Sequence, residues 1–589
     1  MTKHQGTTLP SESPGTKASR MTARRIIGLG LAAMAGLALM AAQAVAEAPL
    51  GLRKLTVGAA TSWFGPDVSP DDVRWRAPPT DGMKNAPIFG YAHRWKPGQP
   101  VPHAERVQMP LYRNFDSDDP KWWDQQLDEV LFTRPPLIFL IGRGCTRPDD
   151  PASFAGPGHM CPYKLRMMVD AVRRSAAEDA VRFALFVDTG ATFALRRSFT
   201  RNGPERLDEA RSSDRDPNTR FDLSEKPDSS GRTALWYFWE ATVRPWFDTV
   251  PREMWYLFDD NGVKKPVIAF WGITHRFTGH RGNTTKLLAE LKAKFVARYG
   301  VEPFFIVSTA WITGDPSLAQ APGLVGGVHD WFRPRFGEPK GGQAVSRWNG
   351  EKWQVSGTPN GISSLADWNG RQWGVTVPGF DCGPGCNVPP VPRQGGKSFE
   401  RALDANRRAA INLIEGFNGP IEGTALYRSD NADWLSANAY LEILRRLNDP
   451  ETLSLRLQAE GADGVTGTMQ SSKNEFSSRA TIVGKPDIGE WSIAFKNRDD
   501  GFKYGDVFLA QGSYTVYIRA QSRTENSNLK ISIGSEAAII KTIGRSPDAT
   551  TPVIARAGTV TLPRGGYEIQ TSVESGESEI DWIMIVKNR

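Results

Sequence analysis

The chain has 589 residues, 40% of them hydrophobic and 23% charged, an ordinary balance for a water-soluble globular protein and too much chain for one compact domain. Its net charge is +7, but residues 1–46 hold five Lys/Arg and one Glu, and without them the balance is +3. So small a charge leaves no electrostatic footprint for nucleic acid.

The first element is a targeting segment. Arg24 and Arg25 precede the apolar run "IIGLGLAAMAGLALMAA", and "AQAVAEA" follows. A basic start, a run slightly short for a bilayer and an Ala-x-Ala site make residues 1–46 a secretory signal peptide, cleaved after Ala44 or Ala46. The arginine pair also permits twin-arginine export. The competing interpretation is a membrane anchor. No later stretch is long and apolar enough to span, so a secreted or periplasmic chain without a stable membrane span is expected. Four cysteines, Cys145, Cys161, Cys382 and Cys386, are an even count in an exported chain, which favours disulfides. Cys145–Cys161 and Cys382–Cys386 are the pairs nearest in sequence; three connectivities are open.

From about residue 85 to 450, short apolar runs alternate with helical patterns. The runs are 88–95, 137–144, 182–190, 266–273, 303–311, 326–332, 373–381 and 412–418. Several are almost continuously apolar, as in parallel strands buried on both faces. Between them, "WWDQQLDEVLF", "TTKLLAELKAKFVARYG" and "ANAYLEILRRLN" place apolar residues at helical spacing. Eight strands with helical returns predict an α/β fold, a (β/α)8 TIM barrel over residues 50–450. A doubly wound sheet is the alternative, but no Gly-rich phosphate loop follows a strand. The segment 201–232 reads as a long loop. "WNGEKWQVSG" and "WNGRQWGVTV" form a local duplication around Asn-Gly turns. It is read as a decorating hairpin, or else as a tryptophan-bearing wall over a cleft. After Pro450 only short alternating strands appear, which predicts an all-β, jelly-roll-like sandwich over residues 455–589.

In a barrel, reactive groups gather at the C-terminal ends of the strands. That rule selects Asp188, His275, the triplet His329, Asp330 and Trp331, then Asp381, Glu415, Asn418 and Glu422, with Trp271 beside the fourth strand. Carboxylates converging with aromatics suit cleavage of a glycosidic bond, in which one acid protonates the leaving oxygen and a second attacks or activates water. Glu422, Asp381 and Asp188 are the expected catalytic groups. Asn418, His275, His329, Asp330, Trp331, Trp271 and Glu415 are the expected substrate-binding groups. The duller interpretations are a turn cap for Asp188, structural histidines, and a buried scaffold role for Glu415. Alternation of strand faces implies that Glu415 and Asn418 cannot both point inward without a bulge.

"PGFD" followed by "FNGPIEGT" resembles the last two strands of glycoside hydrolase families 71 and 99, and the chain is most similar to the bacterial domain of unknown function 5010. The resemblance implies that Asn418, Glu422 and Asp381 occupy motif positions. The His-x-Glu-Pro-Tyr stretch of family 99 is absent, so that mechanism is not carried over. "LQAEGADG", "QGSYTVYIRAQS" and "IDWIMI" resemble carbohydrate-binding modules of families 6 and 35. That likeness implies a structural calcium at Glu460 and Asp581, with Gln458 standing where Glu is common. The expectation is an exported glycoside hydrolase acting on a polysaccharide or complex glycan, with no catalytic cofactor. The rivals are a non-catalytic glycan-binding scaffold and a metal-dependent hydrolase or lyase using His275 and His329.

Overall fold

The computed structural model describes residues 63–588 except 70, 76–83, 91–93, 96–114, 146–160, 176, 191, 193–194, 197–220, 273–276, 332–343, 358–361, 382–389, 420–422, 430–437, 468–480, 486–489 and 546–551. The expected signal peptide, His275, Glu422, Cys382 and Cys386 lie outside the described residues, and of Glu460 only the backbone is described. Residues 57–589 form one compact unit.

Its first part is built on a twelve-stranded sheet: β1 (Lys84–Phe89), β2 (Ile138–Gly142), β3 (Phe183–Val187), β4 (Leu257–Asp260), β5 (Val263–Phe270), β6 (Phe304–Ser308), β7 (Gly327–His329), β8 (Ala344–Trp348), β9 (Trp353–Ser356), β10 (Ser363–Trp368), β11 (Arg371–Thr376) and β12 (Ile411–Ile414). The order is β7-β6-β5-β3-β2-β1-β12-β11-β10-β8-β9, with β4 folded antiparallel onto β5. From β7 across to β11 every neighbouring pair is parallel. The fully buried runs Ile138–Gly142, Phe183–Val187 and Phe304–Ser308 explain why: apolar on both faces, they need cover on both sides.

This is not the (β/α)8 barrel expected from the sequence. It is a curled mixed sheet, a half-barrel, in a molecule that is mostly β-sheet with few and short helices. The reason lies in residues 344–376. Where one strand with a decorating hairpin was expected, four strands enter the sheet, and β10–β11 and β8–β9 pair antiparallel. The duplicated Trp-Asn-Gly segments are the turns of these hairpins. They break the strict strand–helix alternation that closes a barrel. Helices Pro120–Phe132, Pro162–Arg174 and Asn283–Tyr299 cover the parallel half. The last ends at Gly300, whose φ of 71° suits the left-handed stop that only glycine adopts without strain.

The C-terminal strands form two further sheets. One holds Trp63–Phe64, Val553–Leu562, Gly512–Ser522, Ser578–Lys587, Glu490–Phe495, Thr481–Lys485 and Ser454–Gln458. The other holds Gly464–Thr466, Gly501–Leu509, Gly565–Ser575, Asn526–Ile533 and Ala537–Gly544. Alternation is clean in Asn526–Ile533, where Leu529, Ile531 and Ile533 are buried. Trp63–Phe64 pairs in parallel with Val553–Ile554. This region meets the curled sheet through helix Pro120–Phe132. There Phe132 stacks on Tyr504 with ring centroids 6.4 Å apart, Arg134 bridges to Asp449 at 3.3 Å, and Arg428 lies over the Phe132 and Tyr504 rings.

Candidate functional site

Because β1–β3, β5–β7, β11 and β12 run parallel, the residues after each strand share one edge of the sheet. Arg143 follows β2 and Asp188 follows β3. Their side chains pair at 3.1 Å and are 10% and 23% exposed. The Asp188 amide donates to the Gly142 carbonyl, 3.0 Å, which locks the turn after β3 against the end of β2. Thr189 donates from Oγ1 to the Gly272 carbonyl at 2.6 Å, and the Trp271 amide donates to Val187 at 2.9 Å. These bonds tie the ends of β3 and β5 together. Trp271 is half-buried, and its carbonyl accepts from the Trp311 indole. An arginine–carboxylate pair beside a partly open tryptophan presents a donor, an acceptor and an apolar face to a hydroxylated ring.

The triplet at the end of β7 is more deeply set. His329 is buried, and its Nε2 hydrogen-bonds the Phe270 carbonyl at 3.0 Å. Burial pushes its pKa down to about 4, against the opposing pull of that carbonyl and of Asp330. The ring is therefore neutral at ordinary pH and serves the core. Asp330 is buried and accepts from the hydroxyls of Thr309 and Ser346. Its carbonyl accepts from Ser364 Oγ at 2.7 Å. The Asp330 carboxylate thus links the end of β6 to β8, and its backbone carbonyl adds β10. Trp331 is buried, with its ring 5.3 Å from that of Phe186.

Beyond β12 the face-alternation rule stops applying, because the strand ends at Ile414 and Gly416 turns the chain with φ 68°. A Cβ on Gly416 would sit 2.0 Å from Thr424 Oγ1, so the close turn requires glycine. Glu415 and Asn418 are consequently both buried. Asn418 Oδ1 accepts from the Gly90 amide at 3.0 Å, holding the end of β1. Asp381 is exposed. It lies against Gly423, whose ideal Cβ would be 3.1 Å from the Asp381 amide nitrogen. Arg393 clamps this corner. Its guanidinium donates to the Gly423 and Ala425 carbonyls, each at 2.7 Å, and its side chain fills the space beside Gly379.

Arg143, Arg393, Thr309 and Ser346 were missed in the sequence reading. Arg143 sits in "LIFLIGRG", directly after a strand, so the strand-end rule would have found it had it been applied to cations as well as acids. Nothing local marks Arg393, whose role is to reach a distant loop.

In the C-terminal region Asp581 is buried and paired with Arg519, with Arg456 as a further nearby cation. These guanidiniums already supply the positive charge that calcium would bring. Among the described residues no three His, Cys, Asp or Glu side chains cluster to hold a metal. Cys145 and Cys161 form a disulfide. Among the described residues no helix is long and apolar enough to cross a membrane.

The family model "Domain of unknown function (DUF5010)" matches residues 84–464, more than half of the chain. The chain belongs to the DUF5010 family. The match begins at β1 and runs through β12 to the first strand of the smaller C-terminal sheet. No curated protein matches the chain. Among solved structures, the C-terminal CBM6 of LamC, a marine laminarinase from Zobellia galactanivorans, is 16% identical, covering 23% of this chain and 99% of its own, with a TM-score of 0.19. The carbohydrate-binding module CBM36 in complex with calcium and xylotriose is 18% identical, covering 22% and 98%, at 0.17. The GH26-CBM35 beta-(1,4)-mannanase of Podospora anserina is 16% identical, covering 23% and 28%, at 0.18. At these scores the likenesses carry no argument about what this DUF5010 chain does.

Proposed function

We propose that this DUF5010 chain is an exported glycan-directed protein that hydrolyses glycosidic bonds at the C-terminal edge of its parallel strands. The observation carrying the reading is that edge itself: the partly open Arg143–Asp188 pair beside Trp271, and the exposed Asp381 packed against Gly423, the residue following Glu422. Asp381 and Glu422 would share the acid and base or nucleophile roles. Asp188 with Arg143 would orient sugar hydroxyls, and Arg393 would hold the two catalytic segments in register. His329, Asp330, Glu415 and Asn418 would support the site from beneath, since each is buried. The kinship to glycoside hydrolase families 71 and 99 and the division into domains at 50–450 and 455–589 belong to the same proposal, with the second domain tethering the first to its polymer.

A purified chain screened on bacterial, fungal and plant glycans should release reducing sugar from at least one. Asp381→Asn and Glu422→Gln should each lower kcat by at least a hundredfold while the fold persists. Unchanged turnover in both variants refutes the assignment. The second reading is binding without cleavage. It is favoured by one observation: Asp330 and Asp188, two of the strand-end acids, are already engaged by hydroxyls and a guanidinium. Retained affinity for a glycan that is never cleaved would select it.

A further inference from the structure

The opposite edge of the sheet carries a concavity. A pocket of about 300 Å3 opens where β5, β6, β7 and β11 begin, lined by Asp260, Asn261, Lys265, Asn369, Arg371, Phe304 and residues 323–326. Two Asn-Gly turns wall it. Asn261-Gly262 (φ 56° and 85°) joins β4 to β5, and Asn369-Gly370 (φ 53° and 75°) joins β10 to β11. Both asparagines adopt the left-handed conformation that such tight hairpins require.

Arg371 locks the walls together. It donates to Asp260 at 3.0 Å and to Asn261 Oδ1 at 3.1 Å. Asp260 also accepts from Lys265 at 2.9 Å, and Lys265 lies 3.6 Å from Glu302. Burial alone would raise the Asp260 carboxyl, but the bonds from Lys265 and Arg371 outweigh it and hold it below its ordinary range. The charges are therefore fixed in place and each is paired: Asp260 takes Lys265 and Arg371, and Glu302, outside the lining, takes Lys265 and, at 3.0 Å, Lys292.

We infer that this pocket is a second ligand site, which takes a small, neutral, polyhydroxylated ring of monosaccharide size. Every charged group of the lining already has a partner of opposite sign, which disfavours an ionic ligand. Side-chain amides, a guanidinium and a carboxylate at fixed spacing match adjacent hydroxyls, which both donate and accept. The volume lies at the lower end of ligand pockets, which begin near roughly 300 Å3. The inference does not depend on hydrolysis at the other edge.

Saturation-transfer NMR on the full chain tests it, with D-glucose, D-mannose, D-galactose and D-xylose supplied singly. At least one sugar should receive saturation. Asn369→Gly, which keeps the turn and removes the amide, should weaken it about tenfold, and Arg371→Lys, which loses the planar fork, should do the same. Asp381→Asn should leave this binding intact, which separates the pocket from the proposed hydrolytic site. The inference is overturned if none of the four sugars binds, if both pocket variants bind like the parent, if the signal disappears in Asp381→Asn instead, or if inorganic phosphate binds more tightly than any of them.

Discussion

Glu129 lies on helix Pro120–Phe132, fully buried, with Arg428 3.9 Å away and the Gln126 amide at 3.5 Å. Burial raises its pKa from 4.5 to about 8, and Arg428 only partly opposes that rise. A carboxyl raised in the fold keeps its proton there while the unfolded chain ionises. Its stabilising contribution is thus whole below about pH 4.5 and is lost as pH climbs to about 8. By pH 6 the loss is roughly 2 kcal/mol, from about 1.4 kcal/mol for each pH step above the unfolded value. Glu129→Gln is neutral in both states and escapes this loss. Urea midpoints by tryptophan fluorescence at pH 4.5, 6 and 8 should show parent and variant close together at the lowest pH. The variant should be about 2 kcal/mol more stable at pH 6, and further ahead at pH 8. A gap that is the same at all three pH values would refute a protonated Glu129 in the fold. Asp128 and Asp124, raised by burial to about 7 and about 6, should leave a residual loss of the same sign in the variant.

Gly327→Ala should cost about 1–3 kcal/mol, since a Cβ there would lie 2.8 Å from the Trp373 ring; a thermal melt equal to the parent's would contradict that packing. Ser346→Ala removes a hydroxyl from the buried Asp330 and should destabilise by about 1–3 kcal/mol. An unchanged urea midpoint in that variant argues against the anchoring role. Replacing Cys145 and Cys161 together by Ser opens a link across 16 residues and should lower stability by about 3 kcal/mol; a double variant as stable as the parent means the bridge contributes nothing.

The eight apolar runs between residues 88 and 418 each touch a strand, because continuous apolarity over five or so residues is a local property that burial on two faces demands. The Asn-Gly turns and the Gly300 stop were legible for the same reason: backbone conformation there is dictated by one or two residues. The register between distant strands is written in no such local signal. Residues 344–376 therefore looked like a decorated single strand, and became four strands that leave the sheet curled and mixed. The strand-end rule brought attention to Asp188, Asp330 and Asp381 alike, yet their fates differ. Asp330 is consumed by Thr309 and Ser346, 21 and 16 residues away. Asp188 takes Arg143 as its partner, and Asp381 remains exposed. Sequence by itself determined which segments could be buried strands and which side chains could carry chemistry. Tertiary structure alone decided which of those side chains are buried and which reach solvent, because burial depends on the groups that folding packs around each one, and that proximity has no signature in spacing along the chain.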